Sequence, residues 1–122
     1  MSDTYFFDTY AIIEILKGNP AYAKFKYSKI VITIFNLVEL HYKLIRDFNN
    51  RIANKILREY SNYVVDVDLE TIKDANEFKL LHKKKRISAP DSIGYITAQK
   101  CGIKFLTGDN HFKNIKGVEF VK

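Results

Sequence analysis

Short apolar runs alternate with helical patterns along this chain, and this order restricts the possible folds more than any other feature of the sequence. The first run ends with Phe6 and Phe7, two adjacent bulky residues that suit a strand covered on both faces. Further strands are predicted at 30–32, 63–65, 104–107 and 118–121. Parallel strands need crossover connections, and the intervening helices supply them. The sequence therefore predicts an α/β fold, a three-layer α/β/α sandwich around a parallel sheet of about five strands.

The segments between these runs carry the signals of helices. The helix after the second strand begins with Thr33 or Asn36 as its cap and has an apolar stripe on one face. That stripe consists of Leu37, Leu40, Leu44 and Phe48. Other helices are predicted at 11–16, 21–26, 50–60 and 69–85. The helix that begins at 88–91 and ends at Gly102 has almost no polar face, so we expect it to be central and largely buried.

The composition bounds the size of the protein and the kind of partner that it favours. With 122 residues and 47% hydrophobic content, the chain is expected to form one domain over residues 1–122. Its 20 Lys and Arg exceed its 14 Asp and Glu, which gives a net charge of +6. An excess of positive charge favours polyanionic partners such as nucleic acid.

The cysteine content and the apolar segments indicate the compartment. A single cysteine, Cys101, excludes an internal disulfide, fits a reducing compartment and is expected to be a small core residue. The N-terminus lacks a basic segment followed by an apolar core, and no apolar run approaches the roughly 18 residues of a membrane span. We therefore expect a cytoplasmic protein with no membrane partner.

The sequence Lys83-Lys84-Lys85-Arg86 concentrates positive charge at the end of a predicted helix. The negative end of the helix dipole stabilises cations at this place, so a solvated helix terminus explains the run. A contact with RNA is the other interpretation, and the sequence leaves both open.

Three aspartates occupy comparable places, each at the end of a strand or the start of a helix. Asp8 follows the first strand, Asp91 opens the buried helix, and Asp109 follows the strand that ends at Thr107. Each could simply cap a helix or turn, since Asp is a preferred N-cap. Ser, Thr and Asn serve equally well there, however, so three aspartates together favour a function. In open α/β sheets, ligands bind in the crevice beyond the carboxyl ends of the strands.

Several carboxylates in one crevice repel one another and are stable at neutral pH only with a compensating cation. Ligation by carboxylates alone suits a hard ion such as Mg²⁺ or Mn²⁺. Zinc is not indicated, because His41, His82 and His111 are far apart in the sequence and lack ligand spacing. A carboxylate-bound metal beside a basic surface suggests hydrolysis of phosphodiester bonds.

Four short motifs, in order along the chain, resemble those of the PIN-domain ribonucleases, most closely the VapC-like toxins. They are Phe7-Asp8-Thr9, Asn36-Leu37-Val38-Glu39-Leu40, Ala89-Pro90-Asp91-Ser92 with Ile96-Thr97-Ala98, and Leu106-Thr107-Gly108-Asp109 with Phe112. The resemblance covers essentially the whole chain and implies the same α/β/α fold. Two positions depart from the family pattern. Asn36 stands where Ser or Thr is common, and Ser92 stands where a small apolar residue is usual.

The resemblance also implies an acidic quartet that binds Mg²⁺ or Mn²⁺. Its members are Asp8, Glu39, Asp91 and Asp109, with Thr9, Asn36 and Thr107 as the polar residues that support them. Glu39 enters the quartet through the resemblance, because a solvated glutamate explains its polar position on a helix equally well. Whether Asp109 would reach the ion directly or through water stays open.

The function expected on this basis is that of a metal-dependent endoribonuclease, the toxin of a VapBC-like toxin–antitoxin pair, with RNA as substrate and a cognate antitoxin as partner. A PIN-domain nuclease of RNA processing or decay without an antitoxin is one alternative, and an inactive PIN-like binding module is another. A homodimer and an antitoxin groove are also predicted from the apolar content of the N-terminal helices. The residues concerned are Tyr10, Ile13, Leu16, Tyr22, Phe25, Tyr27, Leu44 and Phe48.

Overall fold

A four-stranded sheet lies at the centre of the computed structural model, which describes residues 3–122. The strands are β1 (Thr4–Phe7), β2 (Lys29–Val31), β3 (Lys104–Thr107) and β4 (Val118–Phe120). Their order in the sheet is β2-β1-β3-β4, and every neighbouring pair is parallel. Phe6 is in register with Val31 on one side and with Phe105 on the other. The carboxyl ends of the strands therefore meet at one edge of the sheet.

The prediction of a strand at 63–65 is wrong. The sheet of the described residues has four strands and not the predicted five or so. Val64 makes only an isolated parallel bridge with Ile32. Two backbone hydrogen bonds hold it, from the Ile32 N–H to the Tyr63 carbonyl (3.1 Å) and from the Val65 N–H to the Ile32 carbonyl (2.8 Å). The pairing stops there because a 3₁₀ turn occupies Ser61–Tyr63 immediately before the bridge.

Helices cover both faces of the sheet. The α-helices of the described residues are α1 (Thr9–Leu16), α2 (Ile34–Asp47), α3 (Asn50–Tyr60), α4 (Leu69–Leu81) and α5 (Ala89–Cys101). The helix predicted at 21–26 is a 3₁₀ turn over Pro20–Phe25. The helix predicted to reach residue 85 ends at Leu81, because His82 leaves the helical conformation and Lys83–Lys85 form a 3₁₀ turn.

The adjacent residues Phe6 and Phe7 belong to different hydrophobic cores, since successive side chains of a strand point to opposite faces. Phe7 packs with residues of α1, α2 and α3, and Phe6 packs with residues of α4 and α5. Both phenylalanine side chains are fully buried. The three-layer α/β/α sandwich predicted from the sequence is confirmed.

The helix α5 lies directly on the sheet, as its lack of a polar face predicts. All of its residues from 92 to 98 are buried. Gly94 permits this close approach, since a Cβ atom at this position would stand 2.8 Å from the ring of Phe6 and 3.2 Å from that of Phe105. The first turn of α5, which carries Asp91, is thereby fixed against the centre of the sheet.

Two predicted core residues lie at the surface. Phe48 is 57% exposed because α2 ends at Asp47 and the chain turns away, whereas the three leucines of the predicted stripe are buried. Cys101, the last residue of α5, is also exposed, so its assignment to the core is wrong.

Within residues 3–122, we find no helix with the length and apolar character needed to span a membrane.

Candidate active site

One cleft at the carboxyl edge of the sheet is lined by all four acids named from the sequence. Asp8 follows β1, Asp109 follows the β3 strand, Glu39 lies on α2, and Asp91 lies in the first turn of α5. The cleft has a volume of about 130 Å³. Its other lining residues are Thr9, Tyr10, Ile13, Glu14 and Lys43. The parallel sheet thus brings four carboxylates from distant parts of the chain to one place.

Asp8 is held rigidly at the inner end of this cleft and is only 3% exposed. Its Oδ1 accepts a hydrogen bond from the Thr9 N–H (2.8 Å), so it does cap α1. Its Oδ2 accepts a second hydrogen bond from the hydroxyl of Thr107 (2.6 Å). The capping role and the position in the cleft are therefore compatible, since the carboxylate serves both.

Asp91 lies against Asp8. The helix α5 is capped by Ser88, whose Oγ accepts the N–H of Asp91 (3.2 Å). The carboxyl group of Asp91 is in hydrogen-bonding reach of that of Asp8. This places two carboxyl groups close together, one buried and one partly buried.

Burial and neighbouring negative charges raise the pKa values of both carboxyl groups. Burial, followed by the negative charge of Glu39, raises the pKa of Asp91 to about 6. Burial, followed by the charge of Asp91, raises the pKa of Asp8 well above its usual range, against the opposing effect of the Thr107 hydrogen bond. A bound cation would favour the ionised forms of both groups.

The supporting residues implied by the resemblance differ in what they contact. Thr107 connects two acids, because its hydroxyl donates to Asp8 and accepts the backbone N–H of Asp109 (3.0 Å). Asn36 donates to the Thr9 hydroxyl (3.5 Å) and so reaches the acids only indirectly. Its own Oδ1 accepts two hydrogen bonds from the residue that caps α2, both at 2.9 Å.

Gly108 explains the close packing between the end of β3 and α1. A Cβ atom at this position would collide with the carbonyl of Val121 and with the ring of Tyr10. Residue 108, between Thr107 and Asp109, must therefore be glycine for the chain to follow this path through the site.

Glu39 and Asp109 lie on the solvent side of the cleft. Glu39 forms an ion pair with Lys43, with 3.3 Å between Oε2 and Nζ. Asp109 caps the 3₁₀ turn over Asn110–Phe112, where its Oδ1 accepts the N–H of His111 (2.9 Å). The imidazole Nδ1 of His111 lies 3.3 Å from the same oxygen. These two acids are thus partly exposed to solvent and already have nearby donors.

Sequence reasoning missed Tyr10, Ile13, Glu14 and Lys43 as cleft residues. Helical spacing gives a signal for three of them. Tyr10 and Glu14 are four residues apart on α1, and Lys43 stands four residues after Glu39 on α2. Residues at that spacing share a helix face, so they line the cleft together.

The donor groups of the cleft fit a hard divalent cation, because the four predicted ligands are all carboxylates. The proximity of Asp8 and Asp91 supports the same conclusion, since within the described part of the chain neither carboxyl group forms an ion pair with a cationic side chain. With the side chains as placed, no three His, Cys, Asp or Glu groups of residues 3–122 are arranged to hold one ion together.

A parallel α/β sandwich with carboxylates gathered at the carboxyl edge of its sheet defines the class of this protein. The family model of the PIN domain matches residues 5–118. The chain belongs to the PIN domain family. A comparison with the curated proteins gave no sequence match.

Solved structures with the same fold include three complexes from bacteria. A toxin–antitoxin complex from Klebsiella pneumoniae has a TM-score of 0.73 and 18% identity, over 93% of this chain and 94% of that one. DNA-bound VapBC from Salmonella typhimurium has a TM-score of 0.72 and 16% identity, over 98% and 97% of the two chains. VapBC2 from Rickettsia felis, bound to a DNA fragment from its promoter, has a TM-score of 0.72 and 18% identity, over 98% and 99%. At these identities the likeness shows the fold.

Proposed function

We propose that this chain is a metal-dependent endoribonuclease that hydrolyses phosphodiester bonds of RNA and acts as the toxin of a VapBC-like toxin–antitoxin pair. The observation that carries the proposal is the buried contact between Asp8 and Asp91 inside a cleft that Glu39 and Asp109 also line. Such a cluster is unfavourable in a protein that gains nothing from it, since the charges repel and burial penalises them. Membership of the PIN domain family supports nuclease chemistry.

In this proposal the four acids hold Mg²⁺ or Mn²⁺. A bound divalent cation supplies two things to such a reaction, a lowered pKa for water and stabilisation of the charge that develops on the phosphate. The chain's own contribution is orientation. The Thr9 N–H and the Thr107 hydroxyl fix the two oxygens of Asp8, and the rigid first turn of α5 fixes Asp91 beside them.

The proposed partner is a cognate antitoxin. The similar solved structures are a toxin–antitoxin complex and two DNA-bound VapBC complexes, and this chain covers nearly the whole of the matched chain in each. The N-terminal part of the chain also leaves apolar side chains exposed, with Leu16 of α1 at 40% and Tyr27, which lies between the 3₁₀ turn and β2, at 89% exposure. Tyr22, Phe25 and Leu44, in contrast, are core residues.

We further propose a homodimer that uses part of this exposed apolar surface together with Phe48. Sedimentation at tens of micromolar protein is expected to show a dimer. A monomer alone at that concentration would contradict this part of the proposal and would leave the nuclease activity untouched.

The decisive test of the activity is cleavage of single-stranded RNA with Mg²⁺ or Mn²⁺, compared with a chelator and with Asp91→Asn. We expect wild-type protein to cut RNA only with the metal, and the variant to lose cleavage while it stays folded. Asparagine keeps the shape of aspartate and is also a good N-terminal helix residue, so a purely structural role for Asp91 predicts little change. Cleavage that survives both the chelator and Asp91→Asn would overturn the proposed mechanism.

A further inference from the structure

A second charged feature of the molecule lies outside the acidic cleft. It consists of six cationic residues from two segments of the chain, which we call the basic patch. Its members are Lys83, Lys84, Lys85, Arg86, Lys113 and Lys116. All six residues are exposed. The first four belong to the 3₁₀ turn after α4 and to the residue that follows it, and the other two precede β4.

Specific contacts bring the two segments together. The Lys85 ammonium donates a hydrogen bond to the carbonyl of Lys113 (3.3 Å). The Tyr95 hydroxyl of α5 donates to the carbonyl of Lys116 (2.5 Å), and the Tyr95 ring stacks on Phe78 of α4 with 4.6 Å between centroids. These contacts bring the two segments of the basic patch together beside α5, the helix that carries Asp91.

The basic patch contains the whole excess charge of the protein. The chain has 20 Lys and Arg, and the 14 that lie outside the patch equal the 14 Asp and Glu in number. Within the described part of the chain, none of the six patch side chains forms an ion pair with a carboxylate. A solvated helix terminus explains cations after α4, but it does not explain why Lys113 and Lys116 join them.

Two members of the basic patch, Arg86 and Lys113, are close along the chain to acids of the cleft. Arg86 stands five residues before Asp91, and Lys113 stands four residues after Asp109. Because a chain extends at most about 3.6 Å per residue, the Cα atoms of each pair are within about 18 Å. A nucleic acid strand of a few nucleotides can span that distance.

We propose that the basic patch binds the sugar-phosphate backbone of single-stranded RNA next to the nucleotides that enter the cleft. This inference rests on the proposed function and names the surface that holds the substrate. The cleft by itself repels a polyanion, since carboxylates dominate its lining. Within the described residues the patch cations have no carboxylate partner, so they are available to phosphates, and each phosphate contact attracts RNA in a salt-dependent way.

The test measures binding of an RNA oligonucleotide of about 12 nucleotides, a length within the range that single-strand binding surfaces cover. Asp91→Asn is the parent protein, so that binding is read without cleavage. The patch variant adds Lys83→Gln, Lys84→Gln and Lys116→Gln, which spare the hydrogen-bonded side chain of Lys85. The matched control adds Lys26→Gln, Lys29→Gln and Lys55→Gln, three exposed lysines elsewhere on the surface.

We expect the patch variant to bind RNA about 10- to 100-fold more weakly than the parent at 0.1 M salt, and its slope of log affinity against log salt to fall by about 2. The control has the same net charge and is expected to lose less than about threefold, which reflects only the general field of the protein. Replacing the same three patch lysines with arginine should keep the affinity of the parent, since the charge is retained.

Equal losses of RNA affinity in the patch variant and in the control would overturn the proposal. A patch variant that binds duplex DNA more weakly but binds RNA as tightly as the parent would overturn it as well. The two proposals fail separately. If wild-type protein cuts no RNA but the parent binds RNA through the basic patch, the nuclease proposal fails and this one stands. If RNA is cut and the patch variant binds like the parent, only the present inference fails.

Discussion

The two sides of the acidic cleft differ in how their carboxylates are held. On the inner side, Asp8 is 3% exposed and lies against Asp91, and both have raised pKa values. On the outer side, the side chains of Glu39 and Asp109 are 34% and 28% exposed, and each has a lysine or a histidine nearby. The inner side is thus electrostatically unfavourable without a cation, whereas the outer side is not.

The two sides should therefore affect the stability of the fold differently. In the absence of a cation, the inner acids destabilise the folded protein and the outer acids have little effect on it. The hydrogen bonds to Asp8 order its carboxylate but do not cancel the effect of burial on its pKa. A cation would remove the unfavourable repulsion, and substitution with a neutral residue would remove it as well. The inner and outer acids should therefore respond differently to the same chemical change.

The largest expected difference is between Asp8→Asn and Glu39→Gln in metal-free buffer at neutral pH. Asp8→Asn should raise the free energy of unfolding, because a buried carboxyl group with a strongly raised pKa becomes neutral. Glu39→Gln replaces a partly exposed carboxylate and should change stability by less than about 0.5 kcal/mol. Denaturant unfolding of the two variants measures both effects. Equal shifts would contradict the distinction between the inner and outer sides.

The pH dependence of stability should reveal Asp91. Its folded pKa of about 6 lies above the ordinary value of 3.8, so the folded protein binds more protons between those values. The free energy of unfolding contributed by Asp91 therefore falls as the pH rises from about 4 to about 6, by on the order of 2 kcal/mol. Asp91→Asn should match wild-type protein near pH 4 and be more stable above pH 6. Parallel curves for the two proteins would be inconsistent with the raised pKa.

A smaller effect is expected for Thr107→Val, which keeps the shape of the side chain and removes its hydroxyl. The variant loses the hydrogen bond to Asp8 and the acceptor for the Asp109 N–H. We expect a loss of stability of about 1–2 kcal/mol and a further rise in the pKa of Asp8. Thr107→Ser retains the hydroxyl and serves as the control. Similar pH profiles for the valine and serine variants would show that the hydroxyl does not matter.

The smallest effect on stability is expected for Lys43→Gln, because ion pairs four residues apart on a helix surface contribute about 0.3–0.5 kcal/mol. Lys100→Gln is the control, since Lys100 pairs with Asp74 at 3.2 Å and neither residue lines the cleft. Removal of the positive charge from the cleft should strengthen binding of Mn²⁺ a few-fold relative to that control. Identical Mn²⁺ affinities in the two variants would exclude an electrostatic role for Lys43 in the site.

The sequence predicts the three aspartates of the cleft better than the cleft residues on α2, for a physical reason. Asp8, Asp91 and Asp109 follow from the alternation of strands and helices, because parallel strands place their carboxyl ends at one edge. Glu39 required the family resemblance, since its helix position fits a solvated glutamate equally well. Lys43 was missed because the distance between a helix face and the sheet edge depends on packing, which periodicity does not encode.

The strand error has a similar cause. The β-branched run around Val64 has the composition of a strand, but pairing with Ile32 needs an extended approach that the preceding 3₁₀ turn prevents. Local preference predicts strand formation, and the register with the neighbouring segment decides how many residues pair. The layers of the fold were predictable because they depend on the order of elements and not on this register.

The most direct test of the central claim, that the contact between Asp8 and Asp91 belongs to a divalent cation site, is calorimetric titration with Mn²⁺ together with thermal unfolding. Wild-type protein is expected to bind Mn²⁺ saturably and to melt at a higher temperature in millimolar Mn²⁺, since a ligand that binds only the folded state stabilises it. Asp91→Asn should show neither effect at the same concentration. Equal binding by both proteins, or no binding by wild-type protein and an unchanged melting temperature, would contradict the claim.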